Sequence, residues 1–510
     1  MGMALDRSTS LASAPADPAP ETLSFPSTAD LLAQGGDARL ALDPRTGLNR
    51  YGCSPHPVTS RLDFASSTAS IISAPAYAEA CALRERLANS ATPAAAAYGR
   101  ELDRLRADLI GLNGLSGLAG LQIAFAASGT DLHLMVAELV GGEPDRPLLC
   151  LAVEAEETGS GVPQALSGRH FSDRAALGEA VTPGEAVGAG ASRFVAVPAR
   201  DADGALRPGA DIEAELDALV LEASKAGQRV LLTVTDVSKT GLIAPSLAAM
   251  AALRRRFPRT LEVLVDACQF RLAPATLRAY LEAGLMVAVT GSKFLTGPTF
   301  SGALFVPGRM AERLQGRLLQ PGFARYSARA EWPERWVAGA GLPEAANFGL
   351  LLRWRAAVCE LAAFRAIPEA RVAGFLSAFA DAIEARLAVD PNLDPIPARP
   401  LDRRAIGADG GWDAIPTIFP FRLRGAPDGG HLSNAALQAV YRTLRDAGVR
   451  LGQPVACGRV DGEPVSALRL CASARVVTDA VGEAGIGAEA MIARALEALD
   501  AAGEAARATL

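Results

Sequence analysis

The sequence predicts an α/β protein: a mostly parallel, doubly wound sheet, followed by a smaller α+β domain at the C-terminal end. Three observations predict it. Between Leu261 and Pro307, an apolar run (Leu261 to Val265) ends at Asp266, a short helical segment follows, and a second run (Met286 to Val289) ends at Thr290, Gly291, Ser292 and Lys293. Two short buried strands joined by a helix form a parallel unit. Upstream, further apolar runs alternate with helical stretches, which argues a sheet covered by helices on both faces. Beyond about residue 390 short strands and helices alternate in a different rhythm, as in a second, smaller domain.

Taken in order, residues 1 to about 25 are rich in Ala, Pro and Ser and read as a disordered tail. Residues 26–60 contain TGLNRYGCSPHPV, a Gly- and Pro-punctuated loop that either crosses toward an active site or simply enters the fold. Ser73 or a neighbour is placed to cap a helix, and Ala94 to Leu112 has apolar residues at helical spacing. LQIAFAASGTDLHLMVAEL then reads as strand, tight turn and helix, with Ser128, Gly129 and Thr130 at the turn. Strands are predicted at 147–154 and 192–199, a helix from Asp211 to Ala226, and a strand within 229–245 that runs into the polar turn Ser238, Lys239, Thr240. A third apolar run, Ala303 to Val306, follows a Gly/Pro turn. Residues 308–345 carry charged and aromatic side chains. Ala345 to Leu387 reads as helix interrupted near Pro368. The strands TIFPFRL and ALRLCAS and the helices Leu432 to Ala447 and Gly487 to Ala501 complete the chain. The expected division is a tail and loop over 1–60, a large domain over 61–350 and a small domain over 351–510.

Composition narrows the function classes. A net charge of −6 with mixed signs lacks the basic stripe of a nucleic-acid binder. No run of 18 apolar residues exists, so no membrane span is expected. The seven scattered cysteines show neither a CxxC pair nor metal-ligand spacing, and four histidines argue against a multi-histidine metal site. A reducing, cytoplasmic setting is the simplest.

Lysine usage points to chemistry. Of 50 basic residues only three are lysine: Lys225, Lys239 and Lys293. Arginine replaces lysine as a surface charge but not as a nucleophilic amine. Lys293, between apolar strands, is where desolvation would free an amine. In open α/β sheets the chemistry gathers at the carboxyl ends of the strands, where Asp266 and Lys293 both fall. Ser128, Gly129 and Thr130 open a helix with backbone N–H groups suited to a phosphate, although such a turn is also a common helix cap. A strand-end acid, a strand-end lysine and an anion-ready turn are the parts that hold pyridoxal phosphate: the lysine as an imine, the carboxylate on the ring nitrogen, the turn on the phosphate. Neither a Walker loop nor a dinucleotide fingerprint is present, which leaves a nucleotide-binding α/β protein without its signature.

From about Asp63 onward the chain resembles a fold-type I pyridoxal-phosphate enzyme of the class V aminotransferase group, which includes cysteine desulfurases and kynureninase. The resemblance is most specific at DACQF and TGSKFLTGPTFSG. It implies that Lys293 is the Schiff-base lysine and that Asp266 pairs with the pyridinium nitrogen. It implies that Gln269 faces the ring hydroxyl, and that Thr290 binds phosphate with Ser128, Gly129 and Thr130. Ser238 and Thr240 match a polar turn near ring and substrate; Lys239 beside them reads as solvated or paired. Gly297, Pro298 and Thr299 match a turn near the dimer partner's site. Arg469 falls where the family places a substrate-carboxylate arginine, a bidentate match of guanidinium to carboxylate, with Arg475 in reserve. Ser292 departs from the family's desulfurases, many of which have His before the lysine. No ring-stacking residue is assigned; His170 and Phe171 lie late in the segment where one is expected. Residues 308–345 contain no Cys, and Cys359 sits in a helical stretch, which argues against a persulfide-forming desulfurase.

The expected function is therefore a pyridoxal-phosphate enzyme acting on an amino acid or small amine, first an aminotransferase, and alternatively a lyase or hydrolase that breaks a Cβ or Cγ bond. A non-catalytic relative is the third reading, against which the Lys293 and Asp266 pair stands. The resemblance also implies a homodimer with shared sites.

Overall fold

The computed structural model describes residues 25–58, 62–67, 70–141, 147–190, 192–426, 429–460 and 462–509. The tail expected at the N-terminus lies, up to residue 24, outside the described residues.

The described strands run in chain order as β1 (Leu62–Phe64), β2 (Gln122–Ala126), β3 (Leu148–Ala152), β4 (Ser192–Ala196), β5 (Val230–Asp236), β6 (Ile243–Ala244), β7 (Leu261–Ala267), β8 (Met286–Thr290), β9 (Gly302–Val306), β10 (Leu393–Pro395), β11 (Ile418–Leu423), β12 (Val449–Val460) and β13 (Glu463–Cys471). The larger sheet has the order β2-β9-β8-β7-β5-β3-β4, with β6 on β5. The pairs β8–β7, β7–β5, β5–β3 and β3–β4 are parallel; β9 is antiparallel to both of its neighbours. This is the mostly parallel α/β sheet that the sequence predicts.

Its two faces explain the near-continuous apolar strands. Along β7, Val263 and Val265 join one buried cluster while Leu264 joins the other. Along β8, Val287 and Val289 face the first cluster, and Met286 and Ala288 the second. Successive side chains point to opposite faces, so a strand covered on both sides reads as an unbroken apolar run. One cover is the helix Gly129–Val140, buried along nearly its whole surface, which is why apolar residues occupy most of its faces. The other includes Ala74–Ala88, Ala94–Leu112 and Phe348–Arg365. Ser73 caps the first of these, its Oγ accepting from the Ala76 N–H at 3.2 Å.

The second sheet has the order β1-β12-β13-β11-β10. The long helical stretch divides where expected, since Pro368 is the N-cap of Glu369–Val389. The last helix, Ala488–Arg507, runs further than the predicted end at Ala501. Three strands of this sheet were not foreseen, β1, β10 and β12; β1 pairs in parallel with Val449–Leu451 and so belongs to the second sheet, although it precedes the first in the chain. Three residues of strand carry too little period to declare a partner.

Candidate active site at the strand ends

The carboxyl ends of the parallel strands open into a cleft of about 270 Å³. Asp266 and Lys293 both line it. Asp266 is near the end of β7, paired with Thr235 of β5 on one side and Ala288 of β8 on the other. After β8 the chain turns sharply through Gly291 to Lys293. A Cβ on Gly291 would lie 2.4 Å from the Ala357 Cβ, so no larger residue fits that turn.

Asp266 is buried, with a protein neighbour on each oxygen. Its Oδ1 accepts from the Cys268 N–H at 3.1 Å, and its Oδ2 lies 3.3 Å from His133 Nε2. The His133 Nδ1 is 2.8 Å from the Gly129 carbonyl, which can only accept, so this nitrogen donates. Burial alone would raise the Asp266 carboxyl, but His133, Lys293 and Cys268 outweigh it and hold the group well below the usual carboxylate range. The acid is therefore kept ionised in a buried place.

The Ser128–Gly129–Thr130 turn meets the same cleft at the start of the Gly129–Val140 helix. Ser128 is its N-cap: the Oγ accepts from the Asp131 N–H at 3.3 Å and donates to Asp131 Oδ2 at 2.5 Å. The first N–H groups of a helix have no partner inside it, so those of Gly129 and Thr130 are presented at the cleft. Gly129 lies so close to the β7 and β8 ends that a Cβ would sit 2.9 Å from Cys268 Sγ and 3.3 Å from Thr290 Cγ2. Thr290 also lines the cleft, its hydroxyl donating to the Cys268 carbonyl at 2.6 Å. Asp131, behind the turn, is pushed up to about 7, by burial first and then by Asp37.

Residues 25–58 do reach the cleft, through Arg39, Arg50 and Tyr51. Arg39 forms a two-point pair with Asp37, at 2.9 Å (Nε) and 2.6 Å (Nη2), and donates to Thr130 Oγ1 at 3.3 Å. Its guanidinium lies 4.6 Å from the Phe300 ring centre. Phe300 itself is held at φ +73°, a conformation that bulky residues rarely adopt outside constrained sites. Arg353, fully buried, clamps this part: it donates to the carbonyls of Phe300 at 2.5 Å, Gly35 at 2.7 Å and Leu32 at 3.2 Å.

The opposite wall holds Lys239 and Arg469, so two of the chain's three lysines share one cleft. Arg469 donates to the Gln453 carbonyl at 2.5 Å. Lys239 was read as solvated or paired; it lines the cleft, with Nζ donating to the Ala155 carbonyl at 2.9 Å. Burial, then Arg469 and Lys293, lower its ammonium to about 7. Ser238 and Thr240, expected near ring and substrate, turn away from the cleft. Their hydroxyls donate to buried Glu157 at 2.7 Å, which also accepts from Arg200 at 2.8 Å. The polar turn satisfies a buried carboxylate and leaves its middle residue facing the cavity.

The remaining expected residues divide. Ser292 and Thr299 line the cleft, the latter accepting from Asn49 Nδ2 at 3.0 Å. Gln269 does not line it: the amide donates to the Ser67 carbonyl at 3.1 Å and its Oε1 is buried without a hydrogen-bond partner. Arg475 is committed elsewhere, to Glu360 at 2.6 Å and to the carbonyls of Thr296 and Ile71. His170 stacks on Tyr326 and bonds its hydroxyl at 2.6 Å, outside the cleft. Sequence reasoning passed over His133, Arg39 and Cys268. For His133 the signal was its place one helical turn after Gly129, on the same face as the anion-ready turn. For Arg39 there was none, because it lies in irregular chain.

No family model matches the chain, and no curated protein matches it in sequence. Solved structures match across most of its length. The cystine C–S lyase C-DES, in complex with its reaction product cysteine persulfide, is 15% identical, covering 86% of this chain and 97% of that one at a TM-score of 0.52. A mutant of C-DES with glycine covalently linked to the PLP cofactor is 16% identical, covering 85% and 96% at a TM-score of 0.51. The cysteine desulfurase CsdA from Escherichia coli is 15% identical, covering 87% and 94% at a TM-score of 0.50. At these identities the likeness fixes the fold, the fold-type I architecture that the resemblance implied.

Proposed function

We propose that the chain is a pyridoxal-phosphate-dependent enzyme acting on an amino acid, with aminotransfer as its first reaction. One observation carries this reading: a lysine and a buried ionised carboxylate, Lys293 and Asp266, converge in a single cleft with a helix-opening glycine turn. The donor set suits the group. The helix-opening N–H groups of Gly129 and Thr130 are offered to a phosphate, and Arg39 on Thr130 adds a cation beside it. When bound, pyridoxal phosphate supplies an aldehyde for amines and a ring that takes up carbanion electrons.

Each side chain then has a physical task. Asp266, held ionised by His133, is the residue that would pair with the ring nitrogen. The Lys293 amine would hold the cofactor through its aldehyde and would be the base placed in the same cleft. Arg469 holds the substrate carboxylate. Thr290 and Ser128 complete the phosphate turn, while Ser292 and Thr299 border the reacting region. The neighbouring C–S lyase supports a second reading, cleavage at Cβ. Persulfide formation on this chain is disfavoured, because the cysteine that lines the cleft, Cys268, is buried beside Asp266 and its thiol is pushed well above the ordinary range, by burial first and then by that carboxylate. A homodimer completes the proposal, to be read by light scattering.

The decisive test is Lys293→Ala. The wild type should take up pyridoxal phosphate with an absorbance band at roughly 410–430 nm, and the variant should lose it; an unchanged spectrum refutes the assignment. Aminotransfer is separated from cleavage by product analysis. An amino donor should convert the cofactor to its amine form, restored by a 2-oxo acid, whereas cleavage releases a 2-oxo acid without any acceptor.

A further inference from the structure

The charges that line the cleft do not balance. Arg39, Arg50, Lys239, Lys293 and Arg469 face Asp266, the sole carboxylate among the described lining residues. Resting on the cofactor reading above, most of these have partners. Arg39 is paired with Asp37 and stands over the phosphate turn. Lys293 carries the cofactor, Asp266 serves the ring nitrogen, and Arg469 takes the substrate carboxylate. Lys239 is left over, with Arg50 exposed at the rim of the same cleft.

Lys239 is held in place. Its backbone N–H donates to the Glu157 carbonyl at 2.9 Å, and the residues on either side are fastened to the Glu157 carboxylate. That carboxylate already accepts from Arg200, Ser238 and Thr240, so it is a brace for the turn rather than a partner for the ammonium. An ammonium has three donors; one of them meets the Ala155 carbonyl. Lys239 and Arg469 share one wall with Lys293 close by, and burying such cations together is costly unless an anion joins them. The lowered ammonium of Lys239, due first to burial and then to Arg469 and Lys293, is the mark of that crowding.

We propose that the substrate is an amino acid whose side chain carries a second anionic group, held by Lys239 while Arg469 holds the α-carboxylate. Lys239 is thus a specificity-determining residue, and neutral amino acids of the same size leave it without a counter-ion. Arg50 at the rim steers anions inward.

The test compares succinate with butyrate, two four-carbon acids that differ by one carboxylate, by calorimetry on the cofactor-loaded protein. Succinate is expected to bind roughly tenfold more tightly than butyrate. Lys239→Gln should reduce the preference to within about threefold, and Lys239→Arg should keep it. Equal binding of the two acids by the wild type, or a preference that survives Lys239→Gln, overturns the inference. The wild-type comparison decides even if a variant fails to fold. Failure to load pyridoxal phosphate overturns the cofactor reading instead; a loaded protein that treats both acids alike overturns only this one.

Discussion

His133 Nε2 stands 3.3 Å from Asp266 Oδ2, while the other ring nitrogen of His133 is fixed on the Gly129 carbonyl. The imidazole therefore ties the glycine turn to the strand-end carboxylate across the floor of the cleft. With Lys293 it outweighs the burial that would protonate Asp266. A depressed carboxyl contributes stability that is fully present above its unfolded value of about 3.9 and is lost as pH falls through the folded value. His133→Leu should weaken this term and move the acid-unfolding midpoint to higher pH, as followed by circular dichroism. An unmoved midpoint would mean that Asp266 is held down without the imidazole.

Gly129 is constrained by space. Gly129→Ala places a methyl 2.9 Å from Cys268 Sγ, and overpacking of this kind costs about 1–3 kcal/mol. The variant should melt at lower temperature and bind pyridoxal phosphate more weakly. Adding Cys268→Ala, which removes the sulfur, should restore part of both; a double variant no better than the single one would place the strain elsewhere.

Arg353 joins the N-terminal segment to the cleft. Arg353→Met removes a donor from the carbonyls of Phe300, Gly35 and Leu32, of which Gly35 keeps the Asn347 amide, and is expected to cost about 3 kcal/mol. Urea unfolding reads the loss, and limited proteolysis should cut between residues 25 and 58 sooner than in the wild type. Protection equal to the wild type would show that the segment is held by its other contacts.

Lys239 predicts a pH dependence. Its ammonium titrates at about 7, lowered by burial, Arg469 and Lys293 against the opposing pull of Glu157 and Glu156. Below that value the ammonium is charged and receives an anion; above it the charge is gone before the anion arrives. Succinate affinity should therefore fall as pH rises through about 7 in the wild type and stay level in Lys239→Arg, whose guanidinium remains protonated. A wild-type profile as flat as that of the variant would remove Lys239 from the subsite.

The sequence by itself determined the strands of the larger sheet and the meeting of Asp266 with Lys293. Strands covered on both faces must be apolar throughout, and in a parallel sheet their carboxyl ends share one edge, so an acid and a lysine ending two successive runs are brought together by topology alone. The same logic found the Ser128–Gly129–Thr130 turn and separated the two long helices at Pro368. The tertiary structure decided what has no period. Residues 25–58 carry no repeat that could tell a crossing loop from a covering one, yet Arg353 draws them over the cleft. The Ser238–Lys239–Thr240 turn could face either way in sequence. It was the buried Glu157, distant in the chain, that claimed the two hydroxyls and left the lysine to the cavity, because a buried carboxylate must be satisfied before a neighbouring ammonium can be.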